Sequence, residues 1–511
     1  MSRAPGHDQA AALLAELAAL DIRLWVENGS LCYNAPGGAF GPELKAKVRA
    51  AREALLLHLA APGPTPEPGP QTVPLSSQQE RMWFLNRLEG GADGYMDIGA
   101  FRLQGPLDLA ALARSLTWLV ARHPVLRTVF RDGPAGPEQV IQPAGPADLT
   151  VTELAGLDQA ARQAAIQETL VREGGRALDL AQGPVARFGL LRFAPEDHAL
   201  IILPHHAAWD GWSTGVFLRE LGAGYSAFCR GGPPELPPPA TTYAAYAQAQ
   251  RRAMADGSLT AETAAWAGHL AGLPMTPFLP TDRPRPARAS GRGGQLPVEL
   301  SPELAQALAR AAGRQGATLT AVLLAAYGLL LSRVSGQPSL LVGLPMAARE
   351  QLELESVVGY FVNTVPVRLD VAGAASFAGL VERSRDAILE ALSHQMVPLD
   401  HLIRVLNPPR SPAHSTLIQV LFNLVPRRQD PPALEGLRVG EMERPPESAR
   451  YDLSLSLAPA AGGGLTGLLI YDADLFDAAT AAAWRAQYQA ILAQAPADWR
   501  GPLGLTAAPA A

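Results

Sequence analysis

One ten-residue run constrains this 511-residue chain more than any other: Ala61-Pro62-Gly63-Pro64-Thr65-Pro66-Glu67-Pro68-Gly69-Pro70. Proline has no amide hydrogen and a fixed φ, and glycine resists ordering. At this density neither a helix nor a sheet can continue. The run reads as an extended, semi-rigid linker. The chain must therefore fold as separate units: a small domain over 1–60, a linker over 61–74 and a main body over 75–505. Hydrophobic residues make up 48% of the chain, ample for a large core.

In the small unit, Leu13, Leu14, Leu17 and Leu20 recur at helical spacing, predicting a helix over 9–20. Ile22-Arg23-Leu24-Trp25-Val26 reads as a strand, Asn28-Gly29 as a hairpin turn and Leu31-Cys32-Tyr33 as its return. Pro42-Glu43 opens a second helix to about Leu59. The main body is mixed α/β. Apolar strands (Ala199 to Leu203, Leu340 to Leu344) alternate with helices such as 302–313 and 318–334. A breaker-rich stretch, Leu279-Pro280-Thr281-Asp282-Arg283-Pro284-Arg285-Pro286, divides it into an N-lobe of about 75–260 and a C-lobe of about 287–505. The tail, 506–511, reads as another linker.

Composition removes several classes of function. The net charge is -6, Lys45 and Lys47 are the only lysines, and no arginine cluster stands out, so no nucleic-acid partner is expected. Cys32 and Cys229 are too few and too far apart for a disulfide framework or a zinc site. The N-terminus lacks the apolar core of a signal peptide, and no apolar run nears the roughly 20 residues that span a bilayer. A cytoplasmic protein without a membrane partner is expected.

The chemistry concentrates in Leu203-Pro204-His205-His206-Ala207-Ala208-Trp209-Asp210-Gly211-Trp212-Ser213, between an apolar strand and a helix predicted around 217–221. A histidine at the end of a buried strand can face a substrate channel. It has the pKa range and the two-nitrogen geometry needed to move a proton. Four readings compete. The pattern H-H-x-x-x-D-G suits acyl transfer. His205, His206 and Asp210 as metal ligands are disfavoured, because consecutive strand residues point to opposite faces. Gly211-Trp212-Ser213-Thr214-Gly215 fits the serine-hydrolase pattern G-x-S-x-G, but a nucleophile elbow sits directly at the strand end. The fourth reading is a structural histidine pair with Asp210 capping the next helix.

Further motifs accompany this one. In order they are Ser76-Ser77-Gln78-Gln79-Glu80-Arg81-Met82-Trp83-Phe84-Leu85, Arg122-His123-Pro124-Val125-Leu126-Arg127-Thr128-Val129-Phe130, the His205 to Ser213 stretch, and the 279–286 breaker. Then come Val342 to Arg349, Val358-Gly359-Tyr360-Phe361-Val362-Asn363-Thr364, His394-Gln395-Met396-Val397-Pro398-Leu399, Arg450 to Leu455 and Tyr471 to Asp477. Over 75–505 the chain thereby resembles the condensation domains of nonribosomal peptide synthetases. Residues 12–59, with Leu24-Trp25-Val26-Glu27-Asn28-Gly29 the most telling part, resemble the small TubC-like N-terminal docking domains of synthetase subunits.

The resemblance implies an α/β fold: a small α-β-hairpin-α docking domain followed by a two-lobed chloramphenicol-acetyltransferase-like pseudo-dimer. A channel between the lobes would admit two phosphopantetheine arms, with no cofactor bound. A carrier-bound aminoacyl amine would attack the carbonyl of an upstream carrier-bound acyl or peptidyl thioester. By position, His206 lies closest to this chemistry, Gly211 brings a backbone N–H to the oxyanion, and His205 supports. Asp210 is expected to fix the loop through Arg349 or Arg81. Ser213 is a hydrogen-bond donor or a helix N-cap, and Asn363 and Tyr360 are channel or packing residues. Leu24, Trp25 and Val26 would dock the C-terminal tail of the preceding synthetase chain. A downstream carrier and adenylation domains in cis are implied, because no G-G-x-S carrier motif or adenylation motif occurs; the chain reads as an N-terminal piece of a longer synthetase.

Departures bear on the subtype. Gln78 stands where the family usually has Ala, and Ala207-Ala208-Trp209 replace branched apolar residues. His205 argues against the heterocyclising subtype and Trp212-Ser213 against an epimerase. Small residues at 207 and 208 would leave room beside His206 for a dehydrating subtype. A catalytically inactive docking platform is the non-enzymatic alternative.

Overall fold

The computed structural model describes residues 70–503, except 89–94, 135, 274, 277, 426–429 and 443–447, and residues 13, 17, 22–27, 30–34, 41, 44, 45, 47 and 48. The chain divides into two units, Met1–Pro68 and Gly69–Ala511. In the first, β1 (Arg23–Glu27) and β2 (Ser30–Asn34) form an antiparallel hairpin with Leu24 opposite Tyr33, Trp25 opposite Cys32 and Val26 opposite Leu31. Leu13, Leu17 and Ile22 are buried, and the Ile22 N–H donates to the Leu17 carbonyl at 2.9 Å. The expected helices over 9–20 and 43–59 fall largely outside the described residues, as do the Asn28-Gly29 turn, 61–69 and 506–511.

Among its described residues the second unit has three sheets. Its strands are β3 (Gln71–Pro74), β4 (Gly99–Gln104), β5 (Thr128–Gly133), β6 (Gly136–Ile141), β7 (Leu149–Glu153), β8 (Ala186–Ala194), β9 (Asp197–Pro204), β10 (Gly293–Leu300), β11 (Ser339–Met346), β12 (Asn363–Asp370), β13 (Val420–Leu424), β14 (Arg438–Glu441), β15 (Leu453–Pro459) and β16 (Leu465–Asp472). The N-lobe sheet runs β14-β4-β9-β8-β7 and the C-lobe sheet β10-β16-β15-β13-β11-β12; a smaller sheet runs β3-β6-β5.

Every residue of β9 is buried, as its near-continuous apolar sequence requires of a central strand covered on both faces. On one face pack α2 (Leu109–Arg122) and α4 (Gly211–Cys229), through Leu112, Leu116, Val216, Phe217 and Leu221; on the other packs α3 (Gln159–Gly174), through Ile166 and Leu170. The remaining N-lobe helices are α1 (Ser77–Leu88), which opens it, and α5 (Tyr243–Ala255), which closes it; α6 (Thr260–His269) packs through Trp266 into the C-lobe core. The C-lobe core forms around α8 (Leu319–Ser335), whose residues 321–331 are all buried, with α7 (Pro302–Gly313), α9 (Phe377–Ser393), α10 (Leu399–Leu406) and α11 (Ala478–Gln494) about it.

Two expectations need correction. Residues 71–74, expected within the linker, form β3, which pairs with β6; Val73 is buried while its neighbours are exposed, the pattern of an edge strand that tolerates a proline. The lobes also do not partition cleanly by sequence. β14 lies in the C-terminal half yet pairs with β4 in the N-lobe sheet, and Leu354, Val357, Val358, Phe361 and Leu434 pack into the N-lobe core.

Candidate active site

The loop after β9 is stitched into the N-lobe by its backbone. The His205 N–H donates to the Val185 carbonyl and the His206 N–H to the Tyr95 carbonyl, each at 2.8 Å. Residues 206–208 then make a single 3-10 turn, and α4 begins at Gly211. The helix thus starts six residues earlier than the apolar pattern around Phe217 suggests. The reason is Asp210: it is the N-cap, and its carboxylate accepts the Ser213 N–H at 2.8 Å. Ser213 is therefore inside the first turn and does not cap it.

The two histidines differ in environment. His205 is 3% exposed, its Nδ1 accepts the Ala207 N–H at 2.9 Å, and burial pushes its pKa down to about 3. It is a neutral structural acceptor. His206 is half-buried, and its Nδ1 lies 3.1 Å from the Trp209 carbonyl. A carbonyl can only accept, so Nδ1 carries the proton and Nε2 keeps its lone pair. Burial and then Arg450 lower the His206 pKa, against Asp97, the Trp209 carbonyl and Asp210. The imidazole is held as a free base. Its ring lies 5.9 Å from that of Tyr360, whose phenol burial pushes up to about 12.

Asp210 chooses Arg349. The Arg349 Nη2 lies 3.0 and 3.2 Å from the two carboxylate oxygens, and both side chains are 1% exposed. The guanidinium stacks 3.9 Å over the Phe361 ring and donates to the Leu354 and Val357 carbonyls at 2.5 and 2.6 Å. Asp210 also accepts the Phe361 N–H at 3.0 Å. Ser213 Oγ accepts the Gly359 N–H at 3.0 Å and donates to Asp210 or the Gly359 carbonyl. The Trp212 Nε1–H donates to the Glu355 carbonyl at 2.9 Å. A segment of C-lobe sequence, 354–361, is thereby latched onto the start of α4. Ala348, just before Arg349, is buried at φ 49°, a strained backbone for an L-residue.

The remaining predicted residues fall around this core. Arg81, on α1, lies 3.9 Å from Asp400 on α10, so it is not the partner of Asp210. Asn363 is buried; its amide donates to the Gln395 and Val397 carbonyls and accepts the Leu399 N–H, which fixes the turn before α10. The Tyr360 carbonyl accepts the Tyr243 hydroxyl at 2.6 Å. A Cβ built on Gly211 meets no protein atom within 4 Å.

Three sequence alternatives meet specific obstacles. The imidazole nitrogens of His205 and His206 named above turn to different partners, and no group of three potential metal ligands occurs among the described residues. The Ser213 hydroxyl is fully buried and engaged by Asp210, Gly359 and Arg349, which leaves no nucleophile for hydrolysis. Ala207 and Ala208 are fully buried in the N-lobe core, so they open no space beside His206. Sequence reasoning missed Tyr95, Asp97 and Arg450 as neighbours of the histidines. Arg450 was within reach, since it opens one of the motifs; Tyr95 and Asp97 carry no signal.

The geometry is that of a two-lobed α/β domain with a histidine-bearing loop at the end of an N-lobe strand, latched by C-lobe sequence. Residues 70–504 match the condensation domain family and residues 11–60 the TubC N-terminal docking domain. The chain belongs to the condensation domain family of nonribosomal peptide synthetases, which catalyse amide-bond formation between carrier-bound substrates. Phosphinothricin tripeptide synthetase PhsB of Streptomyces viridochromogenes is 37% identical over 85% of this chain and 37% of its own length. Malpinin synthetase of Mortierella alpina is 36% identical over 81% of this chain and 5% of its own. The chain thus spans only a small part of the curated relatives it matches. Among solved structures, the X-domain from teicoplanin biosynthesis is 30% identical with a TM-score of 0.77, covering 86% of this chain and 98% of that one. The condensation domain of the monacolin K polyketide synthase MokA, at 20% identity and a TM-score of 0.72 over 85% of this chain and 99% of its own, shares the fold. No helix among the described residues is long and apolar enough to cross a membrane.

Proposed function

We propose that this chain joins an upstream carrier-bound acyl or peptidyl thioester to a carrier-bound aminoacyl group, with His206 as the residue at the reacting atoms. The observation that carries this reading is the His206 tautomer: Nδ1 is tied to the Trp209 carbonyl, leaving Nε2 as an acceptor. The acceptor amine attacks the thioester carbonyl carbon. Its proton passes to Nε2 or is oriented by it; the carbon–sulfur bond then breaks, and the thiolate leaves and is protonated. An α-amine titrates near pH 8, so much of the acceleration comes from orienting two tethered substrates. Gly211 is the first residue of α4, where backbone N–H groups have no partner within the helix. The empty space above its Cα leaves room for a developing oxyanion.

The partners follow from the two domains. An upstream carrier delivers the donor and a downstream carrier the acceptor, each on a phosphopantetheine arm. The edges of the β1-β2 hairpin, through Leu24, Trp25 and Val26, suit strand addition by the tail of the preceding synthetase chain. The test is condensation between loaded carriers followed by intact-protein mass spectrometry. The wild type gives an amide product, and His206→Ala lowers its rate, by less than the roughly 10²–10⁴-fold of ordinary general acid–base catalysis. A product lighter by one water assigns the dehydrating subtype. Carrier binding without product assigns a docking platform.

A further inference from the structure

Arg450 reaches the histidines from the opposite lobe. Its backbone is held there: the Ala449 N–H donates to the Gly291 carbonyl and the Asp452 N–H to the Gln419 carbonyl, both at 2.9 Å. The Asp452 carboxylate is gripped by Arg285 through two hydrogen bonds of 2.8 and 2.5 Å. From this anchored position the Arg450 guanidinium stacks 4.8 Å over the Tyr95 ring. Tyr95 begins a short stretch that runs antiparallel to the catalytic loop. Its carbonyl accepts the His206 N–H, Met96 bridges His205, and the Asp97 N–H donates to the Pro204 carbonyl at 2.9 Å.

We propose, on the reading of His206 given above, that Arg450 is a positioning residue of the condensation reaction. It clamps the Tyr95 to Asp97 stretch against His205 and His206 from across the lobes, and it holds a positive charge beside the imidazole and the incoming amine. The groups facing His206 are Arg450, the carboxylates of Asp97 and Asp210, the Trp209 carbonyl, neutral His205 and the Tyr360 ring. Arg450 is the cation in this set. A guanidinium here disfavours a second cation, whether imidazolium or ammonium, and both must be unprotonated for the amine to attack. Arg450 is exposed, so solvent and salt screen its field and the effect is modest.

The full chain labelled with ¹³C-histidine supplies the test, the His206 resonance being assigned by its disappearance in His206→Ala. Removing the charge in Arg450→Gln raises the midpoint of His206 titration by on the order of half a unit to one unit, and added salt shrinks that difference. Arg450→Lys keeps the midpoint near the wild-type value. Tyr95→Ala, which deletes the stacking ring but keeps the carbonyl, gives a smaller rise in the same direction. A folded Arg450→Gln protein with an unmoved midpoint overturns the proposal. If that variant does not fold, an unmoved midpoint in Tyr95→Ala overturns it instead. The condensation assay separates the two claims: activity that survives His206→Ala sinks the functional reading while leaving the charge measurement intact, and an inactive His206→Ala beside an unmoved Arg450→Gln sinks only the inference about Arg450.

Discussion

The two lobes are built alike, as sheets packed with helices, yet they do different things. On the proposed reading, the N-lobe presents the chemistry: His206, with its free nitrogen, and Gly211, at the mouth of α4. The C-lobe presents no comparable loop at this site among the described residues. It contributes restraints instead: Arg349 beneath Asp210, the 354–361 latch on Ser213 and Trp212, and Arg450 over Tyr95. Reactive groups and the parts that hold them still are thus divided between lobes. On the same reading, catalytic competence becomes a property of how the lobes are locked together.

The lock breaks most severely at its ion pair. Arg349→Ala leaves the Asp210 carboxylate buried and unpaired, and Asp210→Ala strands the guanidinium. Each is expected to destabilise the protein by about 3–5 kcal/mol, read as a fall in the denaturation midpoint. If both single variants unfold at the wild-type midpoint, the pair does not hold the lobes. Ser213→Ala is expected to cost less, roughly 1–3 kcal/mol, because it strips partners from the Gly359 N–H and the Asp210 carboxylate. Rapid proteolysis within 354–361, with little change elsewhere, is its signature; uniform protection counts against the latch. Gly211→Ala sharpens the contrast from the other side. The added Cβ meets no protein atom, and alanine suits a helix better, so stability changes by at most about 1 kcal/mol. Condensation rate should nevertheless fall, because the methyl group enters space meant for substrate. An unchanged rate between loaded carriers removes Gly211 from the oxyanion role.

Local signals made much of this legible. The apolar run of β9 gave a central strand, and the expected helices 302–313 and 318–334 match α7 and α8 to within a residue. The catalytic loop was readable because strand, histidine pair and aspartate lie within ten residues or so of one another. Asp210 was weighed as a helix cap, but the polar start of α4 hid how early the helix begins. What stayed hidden was pairing at a distance. Nothing local distinguishes Arg349 from Arg81 as the partner of Asp210. Gln71-Thr72-Val73-Pro74 looks like linker until β6 lies beside it. β14 is four residues long and half exposed, so its choice of the other lobe's sheet is written only in the tertiary fold.

That crossing strand matters for heredity as well as for packing. On the sequence alone, a genetic exchange between synthetases that breaks within 279–286 trades one whole lobe for another. Because β14 travels with the downstream portion, such a chimera inherits a foreign strand at the edge of its own upstream sheet, beside β4. The residues that core receives from 354–361 and Leu434 come from the same foreign parent. Recombination that respects the whole unit keeps strand, latch and histidine loop from one ancestor.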